Sequence, residues 1–157
     1  MHDLLVSADA LLLGRRTYEG LSAAYPQMEA IATGVFADFV HMMNALPKYV
    51  ATTTLTELAW KAQPIDGDIV EAVRKLKASP GKNIIKFGTG RMDVLLLEHR
   101  LVDEYDFWLT PVAVPAAEQP LFQGVRAAPP LALRGITQFA SGVLAIRYSP
   151  EAAEQAS

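Results

Sequence analysis

Two short glycine-containing segments are the residues of this sequence best suited to bind a ligand. The first is Gly14-Arg15-Arg16-Thr17, which follows the apolar residues 10–13, and the second is Gly88-Thr89-Gly90-Arg91, which follows residues 83–87. Each stands between a predicted strand and a predicted helix, where unpaired N–H groups and the helix dipole favour an anion. Glycine lets a ligand approach the backbone, and arginine adds a charge-assisted hydrogen bond. Together the two segments suggest a site for the pyrophosphate of a dinucleotide.

Spacing alone leaves each segment open to a plainer interpretation. A short Gly-x-Gly is more often a simple turn, and neither segment matches Gly-x-Gly-x-x-Gly or the phosphate loop that ends in Gly-Lys-Ser/Thr. A third polar segment, Thr52-Thr53-Thr54, ends a predicted strand, and its hydroxyls could contact a ribose or a 2′-phosphate. Threonine is also an ordinary strand residue because it is β-branched. By spacing, a structural role for these threonines is the better interpretation.

Residues that could support other chemistry are few. The chain has no cysteine and three histidines, with no second histidine or carboxylate at metal-ligand spacing, so we predict no metal site. No serine has a Ser/His/Asp context or a nucleophile elbow. The 14 basic and 17 acidic residues give a net charge of −3. This balance argues against nucleic acid as a partner, because such proteins usually carry a basic face.

Length and hydropathy are typical of a soluble domain. The 157 residues, 51% of them hydrophobic, predict one domain over residues 1–150 and a disordered tail at residues 151–157. No apolar run approaches the ~18–20 residues that span a bilayer, and no signal peptide is visible. We therefore expect a cytoplasmic protein with no membrane contact.

Hydrophobic periodicity predicts an α/β fold. Strands are expected at residues 10–13, 48–54, 83–87 and 105–114, with an antiparallel hairpin at residues 131–139 and 142–148. Helices are expected at residues 18–24 and 36–43, after Gly67 and after Gly90. Thr17 is expected to cap the first helix, and Pro26 to end it. Because helices alternate with strands early and strands dominate late, we expect a central mixed sheet with helices on its faces and an antiparallel end.

The segment ADALLLGRRTYEG at residues 8–20 resembles the early part of dihydrofolate-reductase-like proteins. The most similar group is related to the C-terminal reductase domain of the bifunctional riboflavin-biosynthesis deaminase/reductase. The similarity covers residues 4–149. It is carried further by LPKYV at 46–50, GDIV at 67–70, FGTG at 87–90, LEHRLVDE at 97–104, PLF at 120–122 and SGV at 141–143.

This resemblance implies a dihydrofolate-reductase-like three-layer fold and a homodimer. It also implies an NADPH-dependent reductase that transfers hydride from the nicotinamide to a pteridine-like or ribosylaminopyrimidine-like heterocycle. The residues that match the family's cofactor site are Gly14, Arg15, Arg16 and Thr17 for the pyrophosphate and adenosine side, Thr52 and Thr53 for the 2′-phosphate, and Gly88, Thr89, Gly90 and Arg91 for the pyrophosphate.

The sequence departs from the family pattern in three places. The first family strand, which precedes the counterpart of Asp9, is expected to be absent because Met1 falls inside the helix that follows it, so no catalytic acid can be named. Thr53 stands where arginine is common, which weakens the case for NADPH over NADH because the 2′-phosphate loses a charge partner. VPAAEQ at residues 114–119 replaces a glycine-rich, lysine-containing loop.

These departures keep two alternatives to an active reductase open. The chain could be a nucleotide-binding or regulatory family member without turnover. It could also be an interaction protein that acts through its dimer interface.

A substitution at Arg15 tests the cofactor assignment. If this arginine holds the cofactor, Arg15→Ala should weaken NADPH binding by about 1.5–3 kcal/mol, the scale of a charged hydrogen bond. Titration of both proteins with NADPH, followed by tryptophan fluorescence or calorimetry, measures the change. An unchanged affinity would remove the first glycine segment from the site.

Overall fold

A computed structural model describes residues 2–113, 124–126 and 130–151, which fall into two units, residues 1–92 and 93–157. The first unit contains α1 (His2–Val6), β1 (Ala8–Gly14), α2 (Arg15–Met28), α3 (Gly34–Ala45), β2 (Lys48–Ala51), β3 (Ala62–Pro64), α4 (Ile69–Ala78) and β4 (Asn83–Phe87). The second contains β5 (Tyr105–Leu109), β6 (Leu131–Gln138) and β7 (Leu144–Pro150). α5 (Arg91–Glu98) begins in the first unit and continues into the second. The predicted tail from residue 152 and the segment 114–119 lie outside the described residues.

The first unit is built on a parallel four-stranded sheet in the order β3-β2-β1-β4. Its central strand β1 is buried on both faces, as an uninterrupted apolar run predicts: Leu11 and Leu13 lie on one face, Ala10 and Leu12 on the other. The core on the first of these faces is completed by Leu5, Tyr18, Phe39, Met43 and Val50. The helices therefore hold β1, and with it the glycine segment that follows, in a fixed place.

The pairing of β1 with β4 contains an irregularity at Asp9. Ala8 pairs with Asn83 and Ala10 with Ile84, so Asp9 is an extra residue on β1. Its carboxylate accepts the backbone N–H of Lys82 at 2.7 Å. A Cβ at Gly81 would collide with this carboxylate, so a larger residue there would displace the Asp9 side chain from its position at Lys82.

The second unit contains an antiparallel three-stranded sheet in the order β5-β7-β6. The predicted C-terminal hairpin is confirmed as β6 and β7, and Gly142 supplies the positive φ (+84°) of its turn. The α/β prediction is confirmed, with the parallel and antiparallel strands in separate sheets. Among the described residues, no helix combines the length and the apolarity that a bilayer crossing requires.

Helix α2 differs from its prediction at both ends. Gly14 takes the N-cap position in an extended conformation, so Thr17 lies in the first turn and is not the cap. The helix also continues through Pro26 to Met28. Pro26 has no N–H to donate to the Ser22 carbonyl oxygen, and the helix ends two residues after it.

β2 is shorter than predicted and ends at Ala51, before the threonines. Thr52 Oγ1 accepts the N–H groups of Thr54 at 3.2 Å and of Leu55 at 3.1 Å. This local turn competes with strand pairing and ends β2.

The other two strand differences lie at β3 and β5. Sequence reasoning missed β3, which has three residues and follows Trp60 and Lys61, both with left-handed φ values of 57° and 53°. β5 ends at Leu109, ahead of Pro111, which has no N–H to donate to a neighbouring strand. The predicted end of that strand, residue 114, lies outside the described residues.

Lys48 is a fully buried charged residue at the start of β2. Its Nζ donates to the Asn44 carbonyl oxygen at 3.3 Å and lies 4.0 Å from the centroid of the Trp60 ring. Trp60 Nε1 donates to Asn44 Oδ1 at 2.6 Å, which holds the indole over the ammonium. Burial, and secondarily the charge of Lys61, lowers the pKa of Lys48 to about 8.

The two strand-to-helix junctions that follow β1 and β4 touch each other. Gly88 has a φ of +76°, and a Cβ there would lie 2.7 Å from Thr17 Oγ1. Lys86 Nζ donates to the Gly88 carbonyl oxygen at 2.5 Å. Position 88 therefore favours glycine for two reasons, its left-handed backbone conformation and the limited space beside Thr17.

The buried ammonium of Lys48 predicts a pH dependence of stability. Between pH 8 and the ordinary lysine pKa of 10.5, the unfolded chain holds the proton that the folded chain releases, so the free energy of unfolding should rise with pH. Urea unfolding of wild type and Lys48→Met should show a stability advantage for the methionine variant that is smaller at pH 10 than at pH 7. Lys75→Met is the control, since Lys75 is exposed, and its free energy of unfolding should differ from that of wild type by the same amount at both pH values. Equal differences for Lys48→Met would contradict the prediction.

The contact between the junctions predicts that alanine is tolerated at Gly90 and not at Gly88. A left-handed conformation costs a non-glycine residue about 1–2 kcal/mol, and the clash with Thr17 adds to it. No atom lies within 4 Å of a Cβ placed at Gly90, so Gly90→Ala is the matched control. Urea midpoints of both variants measure the difference, and Thr17→Ala combined with Gly88→Ala should recover the part due to the clash. Equal midpoints for the two single variants would show the prediction wrong.

Candidate functional site

The strand order of the parallel sheet reverses between β1 and β4. The chain passes from β1 to β2 and β3 on one side, and β4 then pairs with the opposite side of β1. In an open parallel sheet, ligands bind in the crevice outside the carboxyl ends of the strands at such a reversal. The topology of the first unit therefore points to the ends of β1 and β4.

Both predicted glycine segments stand at this reversal point. Leu13 and Phe87 are register partners, so Gly14 and Gly88 follow neighbouring strand ends, and the contact with Thr17 joins the two segments. Seen from the sequence, the segments are only two similar patterns far apart. The structure brings them together.

The first turn of α2 is suited to an anion. Its N-cap Gly14 offers no side chain to bond the first N–H groups, and no atom lies within 4 Å of a Cβ placed there. These donors, at the positive end of a 14-residue helix, therefore have no side-chain partner at the N-cap. Arg16 is exposed, and Arg15 is exposed with its Nη1 3.2 Å from Glu19 Oε1. Thr89, Gly90 and Arg91 are exposed at the start of α5.

A groove of about 810 Å³ lies beside this turn, at the carboxyl ends of β2 and β3. Three of the residues predicted from the sequence line it: Arg15, Thr52 and Thr53. The others lining it are Ala51, Thr54, Ile65, Asp66, Gly67 and Ile69. Thr53 and Thr54 are exposed, whereas the Thr52 hydroxyl is engaged in the turn that ends β2.

Arg15 connects the two parts of the site. It begins α2 next to Gly14, and its side chain lines the groove. An elongated ligand with an anionic centre at the glycine junctions could thus extend along Arg15 to the threonines. This arrangement fits the shape of a dinucleotide, whose pyrophosphate lies between two nucleosides.

Sequence reasoning missed Asp66 and Gly67 as residues of the groove. They follow β3, and Val50 of β2 pairs with Pro64 of β3, which brings the ends of these strands to the same edge. The Asp-Gly dipeptide and the φ of +74° at Gly67 mark a turn, a signal that is present in the sequence but does not indicate a ligand.

Comparison with known proteins identifies relatives along most of the chain. The family model described as RibD C-terminal domain matches residues 1–145. The uncharacterized protein YyaP of Bacillus subtilis (strain 168) is 30% identical over 146 residues, which make up 93% of this chain and 76% of that protein.

Solved structures share the fold at low sequence identity. A Shewanella sp. PV-4 protein assigned provisionally to riboflavin biosynthesis has a TM-score of 0.71 at 18% identity, over 96% of this chain and 78% of that one. A pyrimidine reductase-like protein from Corynebacterium diphtheriae has a TM-score of 0.58 at 15% identity, over 92% and 77%. The diaminohydroxyphosphoribosylaminopyrimidine deaminase/5-amino-6-(5-phosphoribosylamino)uracil reductase of Thermotoga maritima has a TM-score of 0.60 at 15% identity, over 95% and 47%.

These likenesses confirm the dihydrofolate-reductase-like architecture expected from the sequence. The chain spans about half of the Thermotoga protein, whose name joins a deaminase to a reductase. The family match extends over both units, and the relative at 30% identity agrees with it. The chain belongs to the RibD C-terminal domain family.

Proposed function

We propose that the chain is a reductase that uses a reduced nicotinamide dinucleotide to reduce a pteridine-like or ribosylaminopyrimidine-like heterocycle, as in riboflavin biosynthesis. NADPH is the cofactor expected from the family, with NADH as the alternative. The observation that carries the proposal is the meeting of the two glycine segments at the strand-order reversal, beside the uncapped first turn of α2. The nicotinamide would supply the hydride, and this chain would supply position and charge.

The residues of the first unit have defined tasks in this proposal. The N–H groups of the first turn of α2, together with Arg15 and Arg16, bind the pyrophosphate. Gly14 and Gly90 leave room for it, because no atom lies within 4 Å of a Cβ placed at either. Thr17 and the segment from Gly88 to Arg91 form the other wall. Thr52 and Thr53 lie at the adenosine end, in the groove.

The substrate class rests on the named relatives. The Thermotoga protein carries 5-amino-6-(5-phosphoribosylamino)uracil reductase in its name, and the Corynebacterium protein is named pyrimidine reductase-like. The first name specifies a uracil ring with amino substituents at two neighbouring carbons, and the second specifies a pyrimidine. No residue of this chain is assigned as the proton donor.

Three further expectations belong to the proposal. The protein is a homodimer, it is cytoplasmic, and residues 1–150 act as one domain. Sedimentation equilibrium tests the first of these directly.

A binding and turnover assay tests the function. Titration with NADPH and NADH should give saturable binding of at least one of them. Addition of a ribosylaminopyrimidine or a dihydropteridine should then decrease the absorbance of the reduced nicotinamide. Arg16→Glu should weaken cofactor binding by about tenfold or more, because it replaces an attraction to the pyrophosphate with a repulsion. Arg74→Glu is the control, since Arg74 lies on α4 and pairs with Glu71.

The outcomes separate the alternatives. Binding without oxidation by any heterocycle of this class would favour the nucleotide-binding family member without turnover. Absence of binding by a folded protein would refute the proposal.

A further inference from the structure

The groove holds a carboxylate that the proposed function does not use. Asp66 is one of the residues that line the groove, and its side chain is exposed. Its charge is opposite in sign to that of Arg15. Within the described ranges, Asp66 makes no side-chain hydrogen bond or ion pair. Asp66 thus contributes to the lining an exposed carboxylate that has no side-chain partner among the described residues.

The positive charge of the groove is already partly compensated. Among the described residues that line the groove, Arg15 is the one basic residue, and its guanidinium is 3.2 Å from the Glu19 carboxylate. Asp66 brings a full negative charge to the same groove. The described lining residues therefore carry one charge of each sign, and the exposed Arg15–Glu19 pair is weak enough to leave Arg15 available to the pyrophosphate.

This charge arrangement disfavours a phosphate at the adenosine end. A phosphate monoester carries about −1.5 to −2 charges at neutral pH and is normally bound by free arginine or lysine. Thr53 offers only a hydroxyl. A 2′-phosphate in this groove would meet the Asp66 carboxylate, while Arg15, the one basic residue among the described lining residues, is assigned to the pyrophosphate.

A free ribose hydroxyl fits the same groove. A carboxylate accepts the hydrogen of a ribose 2′-hydroxyl in nucleotide sites that exclude the 2′-phosphate. The exposed hydroxyls of Thr53 and Thr54 can bond the remaining polar atoms of the nucleoside. Ile65 and Ile69 supply apolar surface along the lining.

We propose that Asp66 makes this groove selective for an adenosine with a free 2′-hydroxyl, so that NADH is preferred over NADPH. The inference rests on the proposed function in one respect, that the groove holds the adenosine end of the cofactor. It resolves the choice of cofactor that the sequence leaves open.

Dissociation constants for NADH and NADPH, measured by fluorescence titration, test the proposal. Wild type should bind NADH at least about tenfold more tightly, because like charges oppose the 2′-phosphate. Asp66→Asn should reduce this ratio, and Asp66→Lys should reverse it. Asp38→Lys makes the same change of charge at an exposed position of α3 and should leave the ratio unchanged. High salt should bring the wild-type dissociation constants for NADH and NADPH closer together, because it screens the repulsion between Asp66 and the 2′-phosphate.

Two results would overturn the proposal while the reductase assignment stands. One is tighter binding of NADPH by wild type, and the other is a ratio that Asp66→Lys does not change. Failure of both dinucleotides to bind would refute the proposed function.

Titration with AMP and adenosine 2′,5′-bisphosphate then tests the selectivity of the groove separately. A preference for AMP that Asp66→Lys reverses supports selectivity by Asp66, and equal or absent binding overturns it. Urea midpoints confirm that each variant is folded.

Discussion

The register of β1 against β4 is the constraint on which the candidate site depends. It is set at the amino ends of the strands, where Asp9 forms an extra residue and its carboxylate holds the N–H of Lys82. From there the pairs run to Leu13 and Phe87. A shift by one residue would turn each side chain of a strand to the opposite face and would separate the two glycine junctions. A carboxylate at one end of the sheet thus determines the geometry at the other.

Burial of β1 stabilises the sheet but does not select this register. β1 has apolar side chains on both faces, so a slipped strand would still bury apolar groups, and hydrophobicity alone specifies its position weakly. The polar contacts of Asp9 and the space left by Gly81 discriminate between registers where the core does not. The site therefore combines a core that gives stability with a few polar contacts that give alignment.

The features predicted from the sequence are those with a local cause. α3 and α4 show helical periodicity, β1 contains the continuous apolar run 10–13, and β4 contains Ile84, Ile85 and Phe87, so their existence follows from neighbouring residues. The start of α2 was misplaced because its cap, Gly14, has no side chain to signal it. The adjacency of the two glycine junctions was suggested only by their likeness and by the family resemblance. The groove could not be predicted, since it depends on the pairing of β2 with a three-residue strand.

The contact of Thr17 with Gly88 has a consequence for how this sequence can diverge. The two positions lie on different segments, yet the space that one leaves is the space that the other fills. A side chain can enter at position 88 only if position 17 becomes smaller and the backbone turn changes as well. Random substitution meets these conditions rarely, because they require simultaneous changes. The residues at positions 17 and 88 should accordingly change together among proteins that descend from this chain. Exposed residues around them should change independently of one another.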